Sequence, residues 1–151
     1  EALAGLDGVR AVVSTGHAAL SAELRAGLVR PNVRVVDYVR QDHILQEADL
    51  FVTHHGLNAT HEAIWHRVPM ISCPFFWDQP ALAARCEALG IAVPIGGGPR
   101  GPLGKELIHA AVQTALARRD SMRERLEKAR QWEVAVIERR GAVLDRILAL
   151  A

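Results

Sequence analysis

The sequence predicts an α/β fold in which a parallel sheet carries helices on both faces and a long helical segment ends the chain. Three observations predict it. Short β-branched runs alternate with longer Ala- and Leu-rich runs. The strand candidates are continuously apolar rather than alternating, as strands covered on both faces must be. Gly or Pro stands at most of the junctions. A chain of 151 residues, half of them hydrophobic, suits one domain and buries a core without disulfides or metal.

The elements follow in order. Val9 to Ser14 reads as a strand ended by Thr15-Gly16, and Ala18 to Leu28 as a helix broken by Pro31-Asn32. Val33 to Val39 is the second strand, Asp42 to Ala48 a short helix with Asp42 as N-cap, and Asp49 to Thr53 the third strand. After a glycine-containing turn, Asn58 to Arg67 is a helix that stops before Pro69. Met70 to Cys73 is the fourth strand, closed by Pro74. Ala81 to Leu89 is a helix with Leu82, Cys86 and Leu89 on one face and Gly90 as its cap; Ile91 to Ile95 is the fifth strand. Residues 96–102 form a Gly/Pro loop, Leu103 to Ala117 a helix, and Ser121 onward a helical segment interrupted near Gly141. The expected organisation is a Rossmann-like, doubly wound domain over 1–120 and a helical segment of the same domain over 121–151. The opening residues, Glu1 to Leu6, read as the tail of a helix already under way, so the domain's first strand is expected outside this chain.

Composition excludes several function classes. A net charge of +1 lacks the basic excess of a nucleic-acid binder. Arg118, Arg119, Arg123 and Arg125 are diluted by Asp120, Glu124 and Glu127 and read as a solvated helix face. Cys73 and Cys86 form no CxxC and are expected as reduced thiols in the cytoplasm. No apolar run approaches the ~20 residues of a membrane span, and no signal peptide opens the chain.

In doubly wound sheets ligands sit outside the carboxyl ends of the strands. That rule selects Thr15-Gly16, 38–42, 54–62 and 74–79 before any motif is considered. In Thr53-His54-His55-Gly56-Leu57-Asn58-Ala59-Thr60-His61-Glu62 a glycine lets backbone approach a ligand, and a helix follows at once. Free N–H groups at a helix start suit a phosphate, and the dipole term adds roughly 0.3–1 kcal/mol. Asn58, Thr60 and His54 add donors, and Glu62, one turn after Asn58, is placed to accept from ribose hydroxyls. The plain alternative makes Asn58 or Thr60 a cap and Glu62 a surface residue. In the 74–80 loop Asp78 and Gln79 pair an acceptor with an amide, suited to sugar hydroxyls; Phe75, Phe76 and Trp77 either wall a pocket or pack in the core. Tyr38, at a strand end, either stacks on a base or is structural.

Taken together, Tyr38-Val39-Arg40-Gln41, then 48–62, then Val68 through Phe75-Phe76-Trp77-Asp78-Gln79 resemble the donor-site signature of family 1 glycosyltransferases. The style is nearest to bacterial antibiotic and macrolide, natural-product enzymes. The resemblance implies the C-terminal half of a GT-B fold. It implies that His54, Gly56, Asn58, Ala59 and Thr60 hold a diphosphate and Glu62 the ribose. Tyr38 and Val39 would meet the base, with Gln41 near the nucleoside. Asp78, Gln79 and Trp77 would face the transferred sugar. The expected partners are a UDP- or TDP-sugar and a small hydrophobic acceptor, with inversion at the anomeric carbon, no metal and no other cofactor. The acceptor domain and its base are expected outside this chain. Three positions depart from the pattern: Ala59 where a hydroxyl is common, Arg40 in place of a usual Pro, and His55 where a small residue is usual.

Rival readings rest on fewer residues. His54, His55, His61 and His66 invite a metal site, but i, i+5 is a poor helix spacing for two ligands. Ser14 and Ser72 lack a GxSxG turn. Gly96, Gly98 and Gly101 match GxGxxG in letters, yet Pro99 and Pro102 suit an irregular loop. A nucleotide-sugar-binding module without activity, or an epimerase of the same fold, stays open. Along the last stretch, Met122, Leu126, Ala129, Val136, Val143, Leu144, Ile147 and Leu148 make an apolar stripe that is expected to be partly exposed and to drive self-association.

Overall fold

The structure, a computed structural model, describes residues 2–3, 6–16, 20–96 and 103–149. Its elements are β1 (Ala11–Ser14), α1 (Ala22–Leu28), β2 (Val33–Val36), α2 (Gln41–Leu45), β3 (Phe51–Thr53), α3 (Leu57–His66), β4 (Met70–Ser72), α4 (Gln79–Ala88), β5 (Ala92–Pro94), α5 (Lys105–Ala117) and α6 (Arg119–Leu148). The alternation read from the sequence is present, and every strand pair is parallel. The pairing forms two ladders among the described residues, β1-β2 and β3-β4-β5.

Two-sided burial explains the continuous apolar run of β4. Side chains alternate faces along a strand. On β4, Ile71 joins a cluster with Val93, Ile95, Ala111, Val112, Ala115 and Met122, while its neighbour Met70 joins Ala63, Cys86, Ile91, Ala92 and Leu126 on the other side. The first cluster lies under α5 and the start of α6, the second under α3, α4 and the next turn of α6. β4 is therefore buried at all three positions, whereas Val12 on β1 and Val52 on β3 are each nearly half exposed.

Several boundaries shift, each for a local reason. α1 starts at Ala22 because Ser21 caps it, its Oγ accepting from Leu24 N–H at 3.2 Å. α2 is capped from Arg40, so Asp42 sits in the first turn instead of at the N-cap. The buried stripe of α4 is Gln79, Ala83 and Cys86, and Leu89 is exposed. Gly90 does close α4 in the left-handed region, at φ 68°. α6 runs unbroken through Gly141, since one glycine costs a helix only about 1 kcal/mol. Residues 97–102, which include most of the GxGxxG-like letters, lie outside the described residues.

The Arg-rich face is solvated and paired: Arg119 and Arg123 both donate to Asp49, at 3.1 and 3.3 Å. Cys73 and Cys86 are free thiols, and burial pushes Cys86 up to about 11, which keeps it protonated. Among the described residues no helix is long and apolar enough to cross a membrane.

Two outcomes follow from this packing. Leu126 is fully buried beneath β4, so Leu126→Ala is expected to cost about 2–5 kcal/mol in denaturant unfolding. Val143, Leu144, Ile147 and Leu148 are all more than half exposed at the end of α6; sedimentation of the chain is expected to show concentration-dependent association, and a strict monomer at high concentration would exclude that role for the stripe.

Candidate functional site

Parallel pairing brings the strand carboxyl ends of each ladder to one edge. Thr53 at the end of β3 stands opposite Ser72 at the end of β4, and Cys73 N–H donates to Thr53 O at 2.9 Å. The turns that follow, 54–56 and 73–78, are thus neighbours, and each leads directly into a helix.

The head of α3 is open. Gly56 is the N-cap residue, with φ −62° and ψ 145°, and no side chain caps the first turn. Thr60 N–H makes the first intrahelical bond to Gly56 O, leaving the earlier N–H groups without a helical acceptor. His54, Leu57 and Asn58 are exposed and Ala59 is half-buried. His54 folds over Gly56: a Cβ at position 56 would stand 2.7 Å from His54 Nε2. The glycine is needed for this close approach and not for an unusual φ. The nearby Thr60 hydroxyl is turned away from the open side of the turn. It is buried, and its Oγ1 donates inward to Gly56 O at 3.1 Å.

His55 is the largest surprise of the turn. It adopts φ 61° and points into the protein, where it is fully buried between Ser72 and Thr60. Its N–H donates to Thr53 Oγ1 at 3.1 Å. The bulky residue therefore supports the turn from below and does not crowd the ligand side. Burial, with the neighbouring His54 charge adding, lowers its pKa from 6.5 to about 4.

A cleft of about 340 Å³ is lined by Ser14, Gly16, Tyr38, Val39, Arg40, Gln41, Asp42 and Glu62; it takes Glu62 from α3 but none of His54, Gly56, Asn58, Ala59 or Thr60. It gathers the expected nucleoside residues Tyr38, Val39, Gln41 and Glu62. Gln41 Nε2 donates to Glu62 Oε2 at 2.7 Å, which fixes the carboxylate against the wall. Arg40 donates to Asp42 at 3.0 Å, and that bond is the main cause holding the Asp42 carboxyl below its ordinary range. Ser14 and Gly16 complete the cleft from the end of β1; the strand-end rule selected Gly16, and Ser14, one position before that selection, was not singled out.

The second loop divides its tasks. Gln79 is buried, and its Oε1 accepts from Phe75 N–H at 3.0 Å and Phe76 N–H at 3.3 Å. Its carbonyl shapes the loop, and only the amide nitrogen remains to meet a ligand. Asp78 is exposed. The aromatic residues do not pack in the core. Phe75 and Phe76 are about half exposed, and Trp77 is 90% exposed at φ 57°, edge-on to Phe76 with centroids 5.3 Å apart.

The histidines diverge. His55 meets hydroxyls, whereas His61 Nδ1 lies 2.5 Å from Glu133 Oε1 and pins α3 to α6. Among the described residues no group of three or more His, Cys, Asp or Glu is placed to hold a metal ion.

The site thus comprises an uncapped helix head, a cleft at the strand ends and a carboxylate one turn in, and the family match gives the class, a glycosyltransferase. Residues 21–118 match the family described as UDP-glucoronosyl and UDP-glucosyl transferase, and the chain belongs to that family. It is 45% identical over 67 residues to mouse UDP-glucuronosyltransferase 3A2, covering 43% of this chain and 13% of that protein. The glycotransferase of kitacinnamycin is similar at 35% identity and a TM-score of 0.74, over 86% of this chain and 32% of the other. Os79 from O. sativa, solved in complex with UDP, is similar at 25% identity and a TM-score of 0.67, over 79% of this chain and 28% of that one. The chain thus spans about a third or less of the relatives it matches.

The His55 shift sets a pH dependence. The unfolded chain binds a proton at His55 below pH 6.5, and the folded chain resists until about pH 4. The stability tied to the neutral ring is intact above pH 6.5, falls as pH drops through that window, and levels off below it. The total is on the order of 3 kcal/mol. Denaturant midpoints at pH 7 and 4.5 are expected to differ more for the wild-type chain than for His55→Asn.

Proposed function

We propose that this chain holds a UDP- or TDP-sugar. The diphosphate rests at the head of α3, against His54, the first N–H groups of the helix and Asn58. The ribose meets Glu62, and the base lies by Tyr38, Val39 and Gln41. The hexose extends toward Asp78, the Gln79 amide and Trp77. The observation that carries this reading is that α3 has an uncapped, exposed start and, further along, sends Glu62 into a cleft where Gln41 holds it. The UDP-named family and the UDP complex of Os79 support it.

In the full-length protein the reaction is transfer to a hydroxyl of a small hydrophobic acceptor, of the natural-product kind, in the cytoplasm and without a metal or other cofactor. A base from an acceptor domain outside this chain takes the hydroxyl proton. The oxygen attacks the anomeric carbon as the bond to the diphosphate breaks, so the configuration inverts. Negative charge grows on the leaving diphosphate, where His54 and the α3 N–H groups are already aimed. Fixed donors at a site of developing charge contribute strongly to catalysis. Residues 1–120 are the sheet domain in this scheme and 121–151 its helical extension. By itself the chain binds nucleotide and transfers nothing.

Calorimetric titration of the chain with UDP, TDP and NAD is expected to rank UDP or TDP above NAD; a preference for NAD would reject the assignment. His54→Ala and Glu62→Ala are each expected to weaken nucleotide binding about tenfold, the scale of one charge-assisted hydrogen bond. Unchanged affinity in both variants would place the nucleotide elsewhere.

A further inference from the structure

Beneath the turn that exposes His54 lies a closed chain of polar side chains. Ser72 Oγ is 2.9 Å from His55 Nε2, and Thr60 Oγ1 is 3.4 Å from His55 Nδ1. Counting protons gives the chain a direction. Thr60 has one hydroxyl proton for two neighbours; given to Gly56 O, the shorter contact at 3.1 Å, it leaves the Thr60 oxygen an acceptor toward His55. In that arrangement Nδ1 carries the imidazole proton and the bare Nε2 accepts from the Ser72 hydroxyl, whereas a Thr60 proton turned to Nδ1 would put the ring proton on Nε2. The chain starts at the end of β4, passes through a neutral ring and ends on the residue that opens α3.

We propose that His55 is a positioning residue for the donor phosphates: held as the neutral Nδ1–H tautomer, it fixes the Gly56 peptide and thereby aims His54 and the first α3 N–H groups at the ligand. This rests on the donor-site reading above. In a planar trans peptide the carbonyl and the following N–H point in opposite directions. Holding the Gly56 carbonyl inward turns Leu57 N–H outward. The exposed His54 ring lies over Gly56, where a Cβ would stand 2.7 Å from Nε2, so moving the Gly56 peptide moves the surface on which the ring rests. Thr53 and Ser72 are paired strand ends, so the chain also ties the phosphate turn to the strand that feeds the Asp78 loop.

Two measurements on the chain test this. The imidazole ¹⁵N shifts, recorded at neutral pH without ligand, are expected to show His55 as a single Nδ1–H tautomer. An Nε2–H tautomer, or rapid averaging of the two, would overturn the proposal however well nucleotide binds, and this readout needs no variant. The second is a cycle of UDP affinities with Ser72→Ala, which removes the donor to Nε2 and keeps the ring in place. His54→Ala is expected to cost about tenfold in the wild-type chain and less than about threefold when Ser72 is Ala, because a mis-seated ring has less to lose. Equal losses in both backgrounds would reduce His55 and Ser72 to structural roles and overturn the proposal. Should His54→Ala have no effect even in the wild-type chain, the donor-site reading falls and takes this inference with it.

Discussion

The parallel register of β3 against β4, with Phe51 opposite Met70, Val52 opposite Ile71 and Thr53 opposite Ser72, is the constraint on which the site depends. Side chains alternate with a period of two, so a slip of one residue exchanges faces. Met70 and Ile71 would each enter the wrong cluster, and Ser72 would leave His55. Both turns at the carboxyl edge take their relative position from this pairing. So does the contact of α3 with the second cluster, through Ala63.

Packing on two faces stabilises that register more than charge does. Fully burying a large aliphatic side chain contributes about 1.5–3 kcal/mol, and Met70, Ile71, Ile91, Met122 and Leu126 are all buried to 1% exposure or less. The ion pairs of Asp49 with Arg119 and Arg123 are exposed, and such pairs contribute about 0–1 kcal/mol each. α6 adds a more specific fastening. His61 reaches Glu133, which is largely buried, and Arg130 lies over the Trp65 ring at 4.9 Å. Both contacts hold α3 beyond its first turn, at His61 and Trp65.

The residues that depart from the family pattern are handled by the fold. Arg40 takes the N-cap position of α2 and pairs with Asp42 at the rim of the cleft. His55 turns inward at a backbone angle few non-glycine residues adopt, and three neighbours accept it: Thr53 at its N–H, Ser72 and Thr60 at its ring. Trp77 is the reverse case, an indole held in solvent on a left-handed backbone angle by a loop that Gln79 shapes from within.

Local pattern was enough to read the strand–helix alternation, the parallel class and the cleft residues Tyr38, Val39, Gln41 and Glu62. Those features depend on spacing within a few residues and on the rule that places ligands at strand ends. Direction and partnership over long separations were not legible. Adjacent histidines look alike as letters, yet His54 faces out and His55 faces in, because one backbone angle and a hydroxyl seventeen residues away decide it. The outward aromatics of the 75–77 loop, the inward hydroxyl of Thr60, the division of Gln79 between loop and ligand, and the His61–Glu133 contact across 72 positions share that cause. Each is settled by which buried polar groups find partners once the layers close, and a one-dimensional pattern carries no record of those partners.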